Sequence, residues 1–371
     1  MRIVVALSGG VDSAVAALLM RREGHEVHAL FMQNWDEDDR YCTSAQDFQD
    51  ARAVSNELGI PLHRVNFTAE YRKHVFDHFL LEYRAGRTPN PDVLCNREIK
   101  FGVALKYARR LGGEALATGH YARLESTADG IELHKAADLS KDQSYFLHGL
   151  DAGQLAAARM PLGTLPKSEV RALAREAGLP VFDKPDSTGI CFVGERPFRE
   201  FLARFIPCAP GPIETPDGEV LGTHVGLPFY TLGQRQGLAL GGQRGHAEQP
   251  WYVAAKDGGR NVLIVVQDTT HPLLLSESLE TAPFHWIGGP RSGDFRCAAK
   301  LRYRQSDQPA EATVLPEGRM RLTFDPPQRA VTPGQFAVLY ERTRCLGGAA
   351  IDIISHSRAA ISPARVRRLH G

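Results

Sequence analysis

The chain has 371 residues, with 44 Lys+Arg against 43 Asp+Glu, 43% hydrophobic and 23% charged residues. That balance excludes a disordered or collagen-like chain and a small disulfide-stapled fold, and the length suits two or three domains with cores of their own. No run of 18 apolar residues occurs, so neither a membrane span nor a signal peptide is expected, and a cytoplasmic monomer is.

The predicted elements begin as alternating strands and helices: strand 3–7, a glycine turn, helix 13–23, strand 27–32, helix 46–58 and strand 62–66. This is the βαβ rhythm of a doubly wound parallel sheet, whose ligands sit beyond the carboxyl ends of its strands. Helices at 70–83 and 96–111 follow, then a short buried strand at 115–118 ending in Gly119-His120, and a helix at 167–177 closed by Gly178. Near residue 205 the helical period fades and Gly/Pro punctuation rises, as in Pro207-Cys208-Ala209-Pro210-Gly211-Pro212. Short alternating runs at 251–255, 262–266, 297–303, 312–315, 320–324, 336–340 and 349–354 predict a small central connector and a C-terminal antiparallel β-barrel. The expected fold class is therefore α/β, with domains 1–205, 206–275 and 276–371.

Three motifs carry chemistry. Ser8-Gly9-Gly10-Val11-Asp12-Ser13 follows an apolar strand and opens a helix, so its glycines admit an anion to the first helical amides, with the serine hydroxyls as further donors. It is not a Walker A loop, because the Gly-Lys pair is missing. Thr88-Pro89-Asn90-Pro91-Asp92-Val93-Leu94-Cys95-Asn96 is a loop stiffened by two prolines. With Asn96 as the expected N-cap, Cys95 would sit at the positive helix end, where a thiol pKa falls, and Asp92 would accept or relay a proton. The alternative is a rigid turn with a small buried cysteine. Asp186-Ser187-Thr188-Gly189-Ile190-Cys191-Phe192 delivers another Cys from a polar turn, and two such thiols can alternate with a transient disulfide.

The six cysteines lie at least 17 positions apart, so no CxxC spacing exists, and neither structural zinc nor an iron-sulfur cluster is expected. Arg291, Arg296, Lys300, Arg302 and Arg304, and separately Arg358, Arg365, Arg367 and Arg368, form basic clusters that suit a phosphate backbone or else a solvated face.

The 8–13 motif resembles the loop of the ATP-pyrophosphatase (PP-loop) superfamily, which cleaves ATP between its α- and β-phosphates. With Phe31-Met32-Gln33-Asn34-Trp35, Lys141-Asp142-Gln143-Ser144-Tyr145-Phe146-Leu147, Thr231-Leu232-Gly233-Gln234-Arg235 and Leu301-Arg302-Tyr303-Arg304-Gln305, the chain resembles the tRNA-specific 2-thiouridylase family over nearly its whole length. That resemblance implies a sulfurtransferase that converts the wobble uridine (tRNA position 34) to 2-thiouridine. The C2 oxygen is adenylated and sulfur then arrives from a cysteine persulfide, with release of AMP and pyrophosphate.

It implies ATP binding by Ala6, Leu7, Ser8, Gly9, Gly10, Val11, Asp12, Ser13, Met32 and Gly119, with Mg²⁺ carried on the nucleotide and no other metal. Cys95 would be the nucleophile, Cys191 the persulfide carrier and Asp92 the acid/base assistant, with a transient Cys95 to Cys191 disulfide. The anticodon stem-loop would be met by Asn90, Pro91, Asp92, His120, Lys141, Asp142, Gln143, Arg302, Tyr303 and Gln335. A sulfur-relay protein or a cysteine desulfurase would supply the sulfur. The chain departs from the family pattern at Ala14, commonly Ser, and at Gln236, often Lys; the second predicts slightly weaker or more salt-tolerant tRNA binding. Cys42, Cys208, Cys297 and Cys345 are expected to be structural. Two rivals remain: an ATP-pyrophosphatase with another acceptor, which needs no cysteine pair, and a noncatalytic tRNA-binding or sulfur-carrier adaptor.

Overall fold

The computed structural model describes residues 1–35, 44–186, 198–241 and 245–356. In chain order it opens with β1 (Arg2–Ala6), α1 (Val11–Arg22), β2 (Glu26–Gln33), α2 (Ser44–Leu58) and β3 (Leu62–Asn66). One helical run then joins α3 (Thr68–Tyr71), a π-helical turn (Arg72–Phe76) and α4 (Asp77–Arg84). A second joins α5 (Pro91–Leu94), a π-helix (Cys95–Ala104) and α6 (Leu105–Arg110). After these come β4 (Ala115–Ala117), β5 (Ala122–Thr127), β6 (Gly130–Lys135), α7 (Ser144–Leu147), α8 (Ala152–Ala156), β7 (Ala158–Arg159) and α9 (Lys167–Glu176).

Five of these strands form a parallel sheet in the order β3-β2-β1-β4-β7. Strands are added to one side from β1 to β3 and to the other from β4 to β7, which makes the carboxyl ends of β1 and β4 the switch point. The sheet is covered on both faces, so alternate residues of β1 serve separate cores. Ile3 and Val5 pack with Val15, Val54 and Val170, whereas Val4 packs with Leu30, Phe101 and Leu116.

The hairpin of β5 and β6 was absent from the predicted elements, although Asp129-Gly130 between two alternating runs is a strong hairpin signal. It leaves the parallel sheet and reaches the C-terminal domain.

The central domain contains α10 (Phe198–Ala203), β8 (Gly211–Glu214), β9 (Val220–His224), β10 (Trp251–Asp257) and β11 (Val262–Gln267). Its strands run in the order β10-β11-β8-β9 around Ile213, Trp251, Val253 and Leu263. The C-terminal strands are β12 (Leu275–Thr281), β13 (His285–Trp286), β14 (Asp294–Lys300), β15 (Gln308–Val314), β16 (Met320–Arg329), β17 (Phe336–Glu341) and β18 (Arg344–His356). Pairing runs β12-β16-β15-β14-β17-β18, and β18 pairs with β12 again, which closes a barrel. The strand expected over 297–303 ends instead at Lys300, because the Leu301 amide donates to Gln305 Oε1 (2.9 Å) and the chain turns. Arg302, Tyr303 and Arg304 therefore lie on a turn and do not alternate across a strand.

The first and last domains are joined by buried charge. Lys135, at the end of β6, sends its ammonium to both oxygens of Asp307 (2.6 and 2.5 Å) and over the Tyr340 ring at 4.2 Å. No described helix is long and apolar enough to cross a membrane.

Asp307→Ala should strand the Lys135 cation. A urea-unfolding midpoint lowered by the equivalent of ~2 kcal/mol is expected, below the cost of breaking a fully buried pair because Asp307 is partly exposed. An unchanged midpoint would refute this role.

Candidate active site

The loop after β1 is built to hold an anion. Gly9 adopts φ +82°, and a Cβ there would lie 2.4 Å from the Asp47 carbonyl oxygen, so only glycine fits. Gly10 caps α1 without any side-chain bond to the first-turn amides, which leaves those donors open at the positive helix end. The loop keeps its shape through its own hydroxyls: the Ser8 amide donates to Ser13 Oγ (3.1 Å) and Ser13 Oγ donates to the Gly10 carbonyl (2.9 Å). Ala6, Leu7, Val11 and Met32 are buried beneath it. Gly119, just past β4, is pressed so close that a Cβ would stand 2.7 Å from the Asp12 carbonyl carbon and 2.8 Å from the Ser13 nitrogen. These features fit ATP: open amides and hydroxyls for phosphate oxygens, and Asp12 as a hard oxygen donor for Mg²⁺.

A ring of charges surrounds the loop. Lys167, the first residue of α9, donates to both Asp12 oxygens (2.7 and 2.8 Å) and pairs with Asp186 at 2.7 Å. Tyr121 Oη donates to Asp12 Oδ1 at 2.8 Å. Lys141 and Arg171 also converge on Asp186, each at 2.9 Å. Burial alone would raise the Asp186 pKa, but the ammonium groups of Lys167 and Lys141 outweigh it and hold the carboxyl at about 2. Lys184 reaches the Gly9 carbonyl (3.1 Å), Asp47 (2.8 Å) and Asp50 (2.5 Å). Tyr121, Lys167, Arg171 and Lys184 were not read as site residues, since no local motif marks them and α9 reaches Asp12 across 155 positions.

The second motif differs from expectation at its cap. Asn90, not Asn96, is the N-cap: its Oδ1 accepts from the Asp92 amide (3.1 Å), and Pro91 takes the first helical position. Helix thus begins four residues before Cys95, which lies inside the run and not at its positive end. Cys95 is fully buried, in one cluster with Trp35, Tyr71, Phe76 and Phe201. Asn96 instead donates Nδ2 to the Phe146 carbonyl at 3.2 Å.

The π-helix from Cys95 is a rare geometry often found at functional sites. Lys100 on it lies 3.4 Å from His120 Nε2, and Thr118 Oγ1 lies 2.8 Å from His120 Nδ1. A lysine ammonium only donates, so Nε2 accepts and Nδ1 carries the proton toward Thr118. Burial, then the Lys100 charge, holds the His120 pKa well below its usual range, so this imidazole is neutral. Among the described residues, the buried Asn34 Oδ1 and Nδ2, Trp35 Nε1 and Asn96 Oδ1 have no hydrogen-bond partner, and Trp35 shares the cluster of Cys95. Each costs about 1–3 kcal/mol, a penalty more typical of a working site than of a finished core.

Cys191, residues 187–192 of its motif, Cys42 and the arginines from 358 onward lie outside the described residues. Cys297 and Cys345 are embedded in the barrel, where burial pushes both thiols up to about 12. Among the described residues no group of three or more His, Cys, Asp or Glu is arranged to hold a metal.

The RNA-contact candidates divide. Lys141 is half-buried on Asp186. Asp142 is buried: Oδ1 accepts from the Ala136 and Ser144 amides (both 3.1 Å), Oδ2 accepts from Ser144 Oγ (3.0 Å), and Lys300 is 3.5 Å away. Asp142 therefore holds the turn, and a direct RNA contact by it is not what this geometry offers. Gln143 Oε1 accepts from the Tyr121 amide (3.0 Å) and so fixes the tyrosine on Asp12. Tyr303 packs on Phe146 at 4.3 Å, near enough to Asp92 for that charge to raise its pKa after burial and Asp142 have done so. Arg302 Nη2 donates to the carbonyls of Leu232 and Ala330 and to Thr332 Oγ1. Gln335 Nε2 donates to the Thr88 carbonyl at 2.7 Å. The basic cluster of the barrel is broken up, with Arg291 on Glu341, Lys300 beside Asp142 and Arg302 inside the protein.

The Asp186 carboxyl has a folded-state pKa of about 2, below its usual value of 3.8, so its stabilisation is complete above about pH 4 and is lost as pH falls toward 2. Asp186→Asn should lower pH 7 stability by ~1 kcal/mol after allowance for partial exposure, and should flatten the loss between pH 4 and 2 in urea titrations. Identical acid limbs for the two proteins would refute the assignment.

Residues 1–195 match the tRNA methyl transferase HUP domain model, 199–267 the tRNA methyl transferase PRC-barrel domain and 276–351 the aminomethyltransferase beta-barrel domain. A protein of Chromohalobacter salexigens named tRNA-specific 2-thiouridylase MnmA is 55% identical over 94% of this chain and 92% of its own length. One of the same name from Methylococcus capsulatus is 55% identical over 95% and 96%. Among solved structures, a 4-thiouridine synthetase–RNA complex with bound ATP matches 56% of this chain and 50% of its own at 22% identity and a TM-score of 0.34. More than half the residues are shared with the two named relatives across nearly the full length of each, and on that ground the chain belongs to the tRNA-specific 2-thiouridylase family.

Proposed function

We propose that the protein thiolates C2 of the wobble uridine (tRNA position 34) in tRNA anticodons at the expense of ATP. The reading rests above all on the open first-turn amides of the 8–13 loop meeting Gly119-His120 at the switch point of the sheet.

Uracil C2 is a poor electrophile because both ring nitrogens donate into it, and its oxygen is a poor leaving group. ATP would supply an adenylyl group that turns this oxygen into a good leaving group and makes C2 more electrophilic. In this reading the amides of Gly9, Gly10 and Val11 would hold the phosphates, joined by the Ser8 amide and the Ser13 hydroxyl once these leave their bonds within the loop, while Asp12 would hold the Mg²⁺-bound pyrophosphate and Met32 and Gly119 the adenosine. Lys167, paired with Asp12 at 2.7 Å, would also stand beside a bound phosphate, and Asp12 is the oxygen donor that would hold Mg²⁺. Neutral His120, with its two ring nitrogens on Lys100 and Thr118, lies beside the base without adding charge.

The sulfur arrives as a persulfide on Cys191 from a relay protein or a cysteine desulfurase. Its terminal sulfur bonds to C2 and AMP leaves with the former C2 oxygen; Cys95 then attacks the Cys191 sulfur, so the sulfur–sulfur bond moves to the protein and 2-thiouridine departs. Alternatively Cys95 releases hydrosulfide from the persulfide first, and both routes end in a Cys95 to Cys191 disulfide that a reductant reopens. Asp92 moves the protons. An anticodon base must leave its stack to arrive here, met by Asn90, Pro91 and Asp92, with His120, Lys141, Gln143 and Tyr303 around it. Domain 1–205 carries out the chemistry, 206–275 connects, and 276–371 engages the stem-loop; the protein works as a cytoplasmic monomer.

The test incubates protein, ATP, Mg²⁺, sulfide and unmodified anticodon stem-loop, reading AMP and RNA mass together. AMP that depends on the stem-loop, with one oxygen replaced by sulfur at the wobble uridine, is expected. Gly9→Ala should lower AMP formation at least 100-fold, since its Cβ collides with the Asp47 backbone. With a persulfide donor, Cys191→Ser and Cys95→Ser should each abolish the mass gain. AMP without thiolation, unaffected by both cysteine variants, would indicate another acceptor; RNA binding without AMP would indicate an adaptor.

A further inference from the structure

The three residues after Thr118 serve three different surfaces. Gly119 lies against the backbone of Asp12 and Ser13, and His120 meets Lys100 of the π-helix. Tyr121 is buried in the other core, among Val11, Ala14 and Val170, and from there its Oη donates to Asp12 Oδ1 at 2.8 Å.

The two oxygens of Asp12 are not equivalent. Oδ1 accepts from both Tyr121 and Lys167, whereas Oδ2 accepts from Lys167 alone. A carboxylate oxygen has two lone pairs, so among the described residues Oδ1 is filled and Oδ2 keeps one. Lysine reaches its partner on a flexible four-carbon stem, but the Tyr121 ring is packed in the core, so the tyrosine is the donor that can hold the carboxylate in one orientation. Burial, followed by the charge of Asp12, raises the Tyr121 pKa, so the phenol keeps its proton and acts toward Asp12 as a donor.

Tyr121 is fixed in turn by Gln143. Its amide donates to Gln143 Oε1 (3.0 Å) and its carbonyl accepts from the Gln143 amide (2.8 Å), so both backbone groups of the tyrosine are bonded to one residue. The turn that carries Gln143 is closed by Asp142, which accepts from the Ala136 and Ser144 amides, and Ser144 Oγ lies 3.1 Å from Tyr340 Oη of the barrel.

We propose that Tyr121, seated on Gln143, is a positioning residue: it fixes the Asp12 carboxylate so that Oδ2 is the oxygen kept for the metal ion that accompanies the nucleotide. The 141–143 turn then serves the nucleotide site as well as the RNA. This inference rests on the proposed use of ATP, and its main readout needs neither RNA nor sulfur.

The experiment titrates the protein with Mn²⁺ and α,β-methylene-ATP, reading bound Mn²⁺ by electron paramagnetic resonance. Tyr121→Phe, which keeps the ring and removes the donor, should weaken the Mn²⁺–nucleotide complex about tenfold, the lower end of what a hydrogen bond to a charged group is worth. Affinity for the analogue in EDTA should stay within twofold. Gln143→Met, which removes the acceptor of the Tyr121 amide, should weaken the complex about threefold to fivefold. In an Asp12→Ala background Tyr121→Phe should change the residual affinity by less than twofold, because the tyrosine acts through that carboxylate.

Equal Mn²⁺–nucleotide affinity in wild type and Tyr121→Phe would overturn the proposal and leave the thiolation reading standing. A loss that is as large in EDTA, or that recurs in full in the Asp12→Ala background, would make Tyr121 a support of the core alone and overturn it too. Should Tyr121→Phe not fold, Gln143→Met decides: the stated loss supports the positioning role, and unchanged affinity overturns it. A wild type that does not bind the Mn²⁺ complex would overturn both the inference and the use of ATP. A weakened complex in a protein that proves unable to thiolate RNA would leave the positioning role standing and remove the functional reading.

Discussion

The backbone of residue 119 lies against the backbone of Asp12 and Ser13 with no room for a single methyl group between them. This contact joins the ends of β1 and β4 at the switch point, and the rest of the site is arranged around it. It presses the 8–13 loop into shape from one side, while Asp47 does the same at Gly9 from the other. Between the two, the first amides of α1 have no side-chain cap, so the positive helix end is left without a capping side chain.

Charge around that loop is balanced internally. Lys167 bridges Asp12 and Asp186, Lys141 and Arg171 complete the neutralisation of Asp186, and Lys184 serves Asp47 and Asp50. Each carboxylate there has a cation within hydrogen-bond distance, so an arriving polyanion competes for cations already in place and does not have to recruit them. In the sequence, Asp186 is followed directly by the segment that carries Cys191.

Burial decides the character of the remaining groups. His120 is kept neutral by its surroundings, Asp142 is consumed by a turn, and one nitrogen of Arg302 donates to two carbonyls and the Thr332 hydroxyl. Side chains that look like polar contacts in the sequence are here the ties between elements. The same holds at Lys135, whose ion pair with Asp307 joins the first domain to the barrel.

The sequence by itself determined the elements whose signals are local. Short apolar runs between helical segments pointed to four of the five parallel strands, though not to the two-residue β7, and Gly9-Gly10 between strand and helix marked the candidate anion loop, because backbone freedom and helix-end amides are properties of adjacent residues. It also marked the proline-stiffened segment before Cys95, though Asn90 and not Asn96 proved to be the cap: with proline at the first helical position, the residue before it is the natural one to take that role. Tertiary structure alone decided which distant groups meet. Lys167 reaches Asp12 across 155 positions, and Gln335 reaches Thr88 across 247. Such pairings carry no periodic signature, since they depend on how sheet, connector and barrel pack together, and this packing is set by burial summed over whole domains.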